Sequence, residues 1–173
     1  MEKGIDPKLI TTFKKDQILE IARRSLTSVG AHIVLFIFVA IVTPMKSDHK
    51  GALVGFGLFI CLVSVIRLVL AKQVPTRYES SPRFWDRTIL GFTHISGGLW
   101  GALAYTVAGY YPLEWPFMFV LVINCGLAAG ATSSLGPSFS LSRDFTILAL
   151  FPIAVWGFLN GSSLGIGVGL LCL

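Results

Sequence analysis

Apolar runs near the length needed to cross a lipid bilayer recur along this chain, and they limit its fold more than any other feature. A hydrocarbon core about 30 Å thick requires about 20 helical residues. The sequence therefore predicts an all-α fold, a polytopic transmembrane helix bundle. Five complete spans are expected at about residues 25–44, 51–71, 88–110, 116–132 and 145–159, and a truncated sixth span is expected at about 164–173.

Composition favours a membrane protein over a soluble one. Hydrophobic residues make up 54% of the 173 residues and charged residues 13%, whereas soluble domains carry about 25% charged residues. The net charge of +5 does not indicate nucleic-acid binding, because the sequence has no basic stripe with interleaved aromatic residues. Cys61, Cys125 and Cys172 fall inside apolar runs and predict neither a disulfide framework nor a CxxC metal site.

The first 24 residues differ from the rest of the chain. They carry charges throughout and lack an early apolar segment, so they do not resemble a cleavable signal peptide. Residues 8–24 are compatible with a weakly amphipathic helix. We therefore expect residues 1–24 to form a cytoplasmic or interfacial lead-in helix before a transmembrane bundle over residues 25–173.

Lysine and arginine residues are distributed unevenly between alternate loops. The positive-inside rule places the basic set in the cytoplasm, which predicts a cytoplasmic N-terminus and cytoplasmic loops near residues 72–87 and 133–143. Arg67, near the end of the second run, is expected to extend toward the lipid headgroups. The basic set contains eleven residues, Lys3, Lys8, Lys14, Lys15, Arg23, Arg24, Lys72, Arg77, Arg83, Arg87 and Arg143, and the other set contains Lys46 and Lys50.

Glycines separated by four positions recur in the apolar runs. This spacing puts small residues on one helix face, where two backbones can approach closely. We expect these faces to pack inside the bundle, and a dimer interface is the alternative. The positions are Gly51 and Gly55, Gly97 and Gly101, Gly126 and Gly130, and Gly161, Gly165 and Gly169.

Three polar residues inside the runs are candidates for ligand binding or signal sensing, because each is costly in hydrocarbon without a partner. His32 and His94 lie at similar depth, about 10 Å from the same side at about 1.5 Å per residue. They could share a metal-binding or proton-sensitive site, or each could bond separately within the bundle. Asn124 is expected to bond a neighbouring helix or to line a ligand cavity. No third metal ligand is evident, so the metal and any cofactor are unknown.

Enzyme chemistry is not indicated by this sequence. It contains no GxxxxGK[ST] or HExxH motif and no paired intramembrane carboxylates. Arg143 and Asp144 stand where the fifth span is expected to begin, and a carboxylate there suits helix capping.

Four segments together carry a resemblance to a known class. They are FWDR at 84–87, SGGLWGALAY at 96–105, GLAAGATSSLGPS at 126–138 and RDFTILALFPIAVW at 143–156. With them the chain resembles the N-terminal membrane sensor region of bacterial sensor histidine kinases, including hybrid kinases, and of related diguanylate cyclases. No phosphoacceptor-His box, ATP-binding box or GGDEF sequence occurs here.

The resemblance implies a sensory input module whose last helix continues into a cytoplasmic dimerising and catalytic region. It also implies the bacterial inner (plasma) membrane, with the lipid bilayer, a second copy of the receptor and a response regulator as partners. A small transporter or channel subunit and a membrane assembly or scaffold subunit are the alternative functions.

Overall fold

The computed structural model describes residues 7–173, with side chains described from Thr12 onward. This part of the chain forms seven α-helices and no strand, so the all-α prediction is confirmed. Residues 1–6 of the predicted lead-in helix, Lys3 among them, lie outside the described residues. The helices are α1 (Pro7–Val42), α2 (Met45–Asp48), α3 (Lys50–Arg77), α4 (Pro82–Tyr110), α5 (Trp115–Ser134), α6 (Phe139–Asn160) and α7 (Ser163–Leu171), and a short 3₁₀ turn at Tyr78–Ser80 follows α3.

Four of these helices are long and apolar enough to cross a membrane. They correspond to Thr12–Val42, Lys50–Ser80, Trp115–Ser134 and Phe139–Asn160. α4 has 29 residues, but its apolar run is diluted by polar residues and glycines, and α7 has only nine residues. The described chain is therefore a helical protein with four candidate membrane spans, where the sequence alone predicts five complete spans and part of a sixth.

α1 and α6, like α4 at Pro82, begin earlier than the apolar runs suggest. α1 is one helix of 36 residues, about 54 Å long at about 1.5 Å per residue, because no proline interrupts the chain between Pro7, its first residue, and Pro44. The predicted lead-in helix and first span are thus parts of the same helix. α6 begins at Phe139, where Ser138 Oγ accepts a hydrogen bond from the Leu141 amide at 3.4 Å. Ser138, and not Asp144, is therefore its N-cap.

α4 occupies the centre of the bundle. It packs against α1, α3, α5 and α6, and its contact with α6 is the most extensive between any two of these helices. Trp100, Leu103, Ala104, Val107 and Ala108 of α4 are almost entirely buried. α4, whose sequence is less apolar, is therefore surrounded by more apolar helices. A helix bundle in lipid shields its polar groups in this way.

The contact between α4 and α6 depends on two glycines. A Cβ atom at Gly101 would lie 2.2 Å from the Leu148 carbonyl oxygen, and one at Gly97 would lie 3.0 Å from the Phe145 carbonyl oxygen. Pro152 has no N–H, so the Leu148 carbonyl lacks its usual partner four residues later. This carbonyl instead faces Gly101, where the absence of a side chain leaves room for it.

A second close contact joins α6 to α7. A Cβ atom at Gly157 would lie 2.5 Å from the Gly165 carbonyl oxygen, and one at Gly165 would lie 2.9 Å from the Gly157 carbonyl oxygen. Gly161 does not share this packing face, because a Cβ atom there would meet nothing within 4 Å. It follows α6 with φ of 68°, a left-handed conformation that ends a helix and that glycine adopts without strain.

The first half of α1 is fixed at one end of the bundle, which we call the basic end because Lys14 and Arg24 lie there. Lys14 Nζ pairs with Asp86 Oδ2 of α4 at 2.7 Å. Arg24 Nη1 donates to the Ser133 carbonyl at the end of α5 at 2.8 Å. Exposed ion pairs contribute at most about 1 kcal/mol each, so these contacts define the position of α1 more than the stability of the fold.

At the opposite end, α2 is attached to the loop between α4 and α5. Tyr111 Oη donates to Asp48 Oδ2 at 2.9 Å, and the His49 ring stacks on Tyr110 with centroids 3.6 Å apart. Desolvation, together with the bond to Asp48, raises the pKa of Tyr111 to about 12. Hydrogen bonds from Ser47 and Tyr111 lower the pKa of Asp48, so the carboxylate that accepts them is the ionised form at neutral pH.

We predict that Gly101→Ala lowers the free energy of unfolding by about 1–3 kcal/mol, because the added methyl group would meet a carbonyl of α6 that cannot move without displacing the helix. Gly109→Ala in the same helix is the matched control, since a Cβ atom there meets nothing within 4 Å and alanine has the higher helix propensity. Thermal unfolding of the purified protein in detergent measures both. Equal stability of the two variants would contradict the close crossing of α4 and α6.

Candidate functional site

Arg67 of α3 is buried in the bundle, with only 7% of its surface exposed. The sequence prediction that it extends to the headgroups is therefore wrong. α3 continues for ten residues beyond it, to Arg77, or about 15 Å at about 1.5 Å per residue. Its side chain lies on the face of α3 that packs against α4, so it reaches the interior of the bundle instead of the surface.

The guanidinium of Arg67 has one hydrogen-bond partner among the described side chains. Its Nη1 donates to Ser96 Oγ at 3.1 Å, and Ser96 Oγ in turn donates to the Phe92 carbonyl at 2.9 Å. None of the ion pairs found in the described part of the chain includes Arg67. A buried charge without a counterion is costly and is seldom kept in a bundle for stability alone.

His32 of α1 is also buried, and Trp100 of α4 determines its hydrogen bonding. Trp100 Nε1 donates to His32 Nδ1 at 2.7 Å. An indole N–H can only donate, so Nδ1 must accept and carries no proton. The ring proton of the neutral imidazole then belongs to Nε2, for which the structure contains no hydrogen-bond partner among the described residues.

Asn124 of α5 reaches the same tryptophan from the other side. It is fully buried, and its Nδ2 lies 3.4 Å from the carbonyl oxygens of Trp100 and Val120. Its Oδ1 is buried without a hydrogen-bond partner in the described structure. Trp100 thus contacts both His32 and Asn124, two of the three residues that the sequence offers as sensing candidates.

We call this group the polar core, and it draws one or more residues from each of four helices. They are His32 of α1, Arg67 of α3, Ser96 and Trp100 of α4, and Asn124 of α5. Trp100 lies one helical turn after Ser96, so the two α4 residues share a face and bring the hydrogen bonds of α1, α3 and α5 together.

His94, the third candidate, lies outside the polar core. Its Nε2 is 3.4 Å from Asp144 Oδ2 of α6, and Asp144 is also bound by Arg143 at 2.8 Å. The described contacts include none between the two imidazoles of His32 and His94, which the sequence analysis suggested as a shared site. No group of three His, Cys, Asp or Glu residues that could hold a metal ion is found among the described residues.

A groove between α1 and α5 opens onto the polar core. Its volume is about 350 Å³, and His32, Arg67 and Phe145 lie along its floor. Gly126 and Gly130 of α5 form part of its wall, and a Cβ atom at either would meet nothing within 4 Å. The sequence analysis expected these glycines at a helix crossing, but here they leave space. The remaining lining residues are Thr27, Ser28, Ala31, Leu35, Leu127, Ala131, Ser134 and Leu135.

Sequence reasoning found His32 and Asn124 but missed Arg67, Ser96 and Trp100. One signal was present, because Arg67 is the only lysine or arginine inside an apolar run. Only four apolar residues separate Arg67 from Lys72. This short distance to the end of the run favours a position of Arg67 near the headgroups. Which face of α3 carries Arg67, and which helix that face meets, depends on tertiary packing and cannot be obtained from one run alone.

No protein-family model, curated protein or solved structure matches this chain. The argument for function therefore rests on the geometry of the polar core and of the groove. Together they offer one positive charge, hydrogen-bond donors and a space bounded by apolar side chains.

Proposed function

We propose that this chain is the membrane-embedded sensory input module of a bacterial signal-transducing receptor, of the kind found in sensor histidine kinases. The observation that carries the proposal is Arg67, a buried cation with a single hydroxyl partner among the described residues, positioned at the junction of four helices. An ionisable residue inside a membrane bundle marks a functional site by default. We infer that the polar core, whose donors are incompletely satisfied, exchanges hydrogen-bond partners between two arrangements, as a two-state sensor requires.

The continuous α1 helix supports a route from the polar core to the basic end. His32 and Lys14 lie on this one helix, 18 residues apart, or about 27 Å at about 1.5 Å per residue. A change in the bond between His32 and Trp100 would shift α1 against α4. The same shift would act on the ion pair between Lys14 and Asp86, so a local event in the membrane would alter contacts at the basic end.

For the membrane arrangement we propose the number of spans and the orientation that the sequence suggests. In it α4 crosses the bilayer together with the four apolar helices, α7 begins a sixth crossing, and the basic end faces the cytoplasm of a bacterial inner membrane. The central position of α4 supports its crossing, because its polar residues are covered by other helices. The concentration of lysine and arginine at the basic end supports the orientation.

Thiol labelling tests this orientation. Ser47→Cys and Ser80→Cys, both at exposed positions, are introduced singly with the native cysteines replaced by serine. A membrane-impermeant maleimide added to intact cells should label Ser47→Cys and should label Ser80→Cys only after lysis. Labelling of Ser80→Cys alone in intact cells would reverse the orientation.

The receptor function is tested on the natural gene product in its own membranes. We expect it to incorporate phosphate from ATP or to form a cyclic dinucleotide, and we expect Arg67→Gln to change that output several-fold. Arg77→Gln, at the exposed end of the same helix, is the matched control and should behave as the wild type. A gene product with neither activity, or an Arg67→Gln variant with unchanged output, would contradict the proposal.

A further inference from the structure

We propose that the groove between α1 and α5 binds an amphiphile with an anionic head and an apolar tail, and that Arg67 holds the head. The inference deepens the proposed sensory function, since it names the class of ligand that the module would sense.

The first argument is the unused hydrogen-bonding capacity of Arg67. A guanidinium carries several N–H donors in a planar fork, and only the bond to Ser96 is present among the described residues. The fork matches two oxygens of a carboxylate or phosphate in one plane. Because Arg67 borders the groove, an anion there could take up donors that no described side chain uses.

A second donor borders the same groove. His32 Nδ1 is occupied by Trp100, so the neutral ring presents its remaining N–H at Nε2. No aspartate or glutamate lines the groove, so its charge is positive and unopposed within the lining. A cation would be repelled by this floor, whereas an anion would gain one charged and one neutral hydrogen-bonding partner.

The rest of the lining suits an apolar chain. Leu35, Leu127, Leu135 and Phe145 provide apolar surface. The groove is open along one side, where Gly126 and Gly130 are exposed, so a chain longer than the groove could continue outward between α1 and α5. A volume of about 350 Å³ lies within the range of about 300–1,000 Å³ that is usual for small-ligand sites.

Two sources share this chemistry. One is an anionic phospholipid of the membrane, whose phosphate would meet Arg67, since basic pockets between membrane helices hold such headgroups. The other is a free fatty acid or similar carboxylate that enters from the bilayer. Both ligands would use the same polar and apolar parts of the groove, so the experiment has to distinguish the phospholipid from the fatty acid.

Binding is measured on the natural gene product, purified and placed in nanodiscs of zwitterionic phosphatidylcholine. The probes are dodecanoate as the carboxylate, phosphatidylglycerol as the anionic lipid and dodecanol as the uncharged control. Native mass spectrometry counts the retained molecules, and titration gives their affinities. We expect dodecanoate or phosphatidylglycerol to bind at least tenfold more tightly than dodecanol, and the tighter of the two identifies the source.

Variants locate the binding in the groove. Gly130→Leu should weaken it by about tenfold or more, because the new side chain occupies the groove, and its Cβ atom meets nothing within 4 Å, so the fold is kept. Gly30→Leu is the matched control, since Gly30 of α1 also has open space but does not line the groove. Arg67→Gln should remove the preference for the charged probe over dodecanol, and Arg67→Lys should keep part of it.

Three results would overturn the proposal: equal binding of dodecanol and the anions, no binding of either anion, or unchanged anion binding by Gly130→Leu. The second would include the case in which a carboxylate of a second copy of the chain neutralises Arg67. This test is independent of receptor output. If an anion binds the groove but the gene product has neither kinase nor cyclase activity, the binding site is supported and the proposed function is contradicted. If the receptor is active but its groove binds no anion, only the binding site is contradicted.

Discussion

The hydrogen bond from Trp100 Nε1 to His32 Nδ1, 2.7 Å long, is the interaction on which the rest of the site depends. Because an indole N–H cannot accept, the bond determines which ring nitrogen of His32 carries the proton. The same tryptophan offers its carbonyl to Asn124 and lies one turn from Ser96, the partner of Arg67. Trp100 and Ser96 together therefore bring the polar contacts of α1, α3 and α5 to one face of α4.

The position of α4 follows from its composition. α4 carries Thr93 and Ser96, and Asn124 of α5 lies beside it. This face of α4 cannot be turned to lipid without leaving polar groups unpaired, so more apolar helices surround it. Gly97 and Gly101 then allow α6 to approach until the Leu148 carbonyl, left free by Pro152, meets α4. Close packing on the α6 side contrasts with the open groove beside α5, where Gly126 and Gly130 leave space. Glycine thus has opposite consequences on the two sides of the bundle, depending on whether a neighbouring backbone fills the gap.

The helical class and most helix positions could be predicted from the sequence, because apolar length and proline placement are local features. The starts of α1, α4 and α6 were missed where a helix extends beyond its apolar run, at the charged first half of α1, at the polar first turns of α4 and at the cap residue Ser138. His32 and Asn124 could be selected because a polar side chain in an apolar run needs a partner. Their common partner Trp100, the burial of Arg67 and the separation of His94 could not be predicted, since each depends on the rotation of one helix against another. The same limit applies to Gly126 and Gly130. Their spacing is typical of a helix-packing face, but they border the groove instead of a neighbouring helix.

Trp100 keeps Nδ1 of His32 unprotonated by donating to it, and thereby organises the polar core. Solid-state NMR of the protein in lipid bilayers, with ¹⁵N-labelled histidine, observes this directly at pH 7. The three histidines are assigned by replacing His49 and His94 with glutamine in turn. We expect an unprotonated, hydrogen-bonded Nδ1 and a protonated Nε2 for His32, and a shift of the Nδ1 resonance when Trp100→Phe removes the donor. A proton on Nδ1 of His32, or a resonance that Trp100→Phe leaves unchanged, would contradict this role of Trp100.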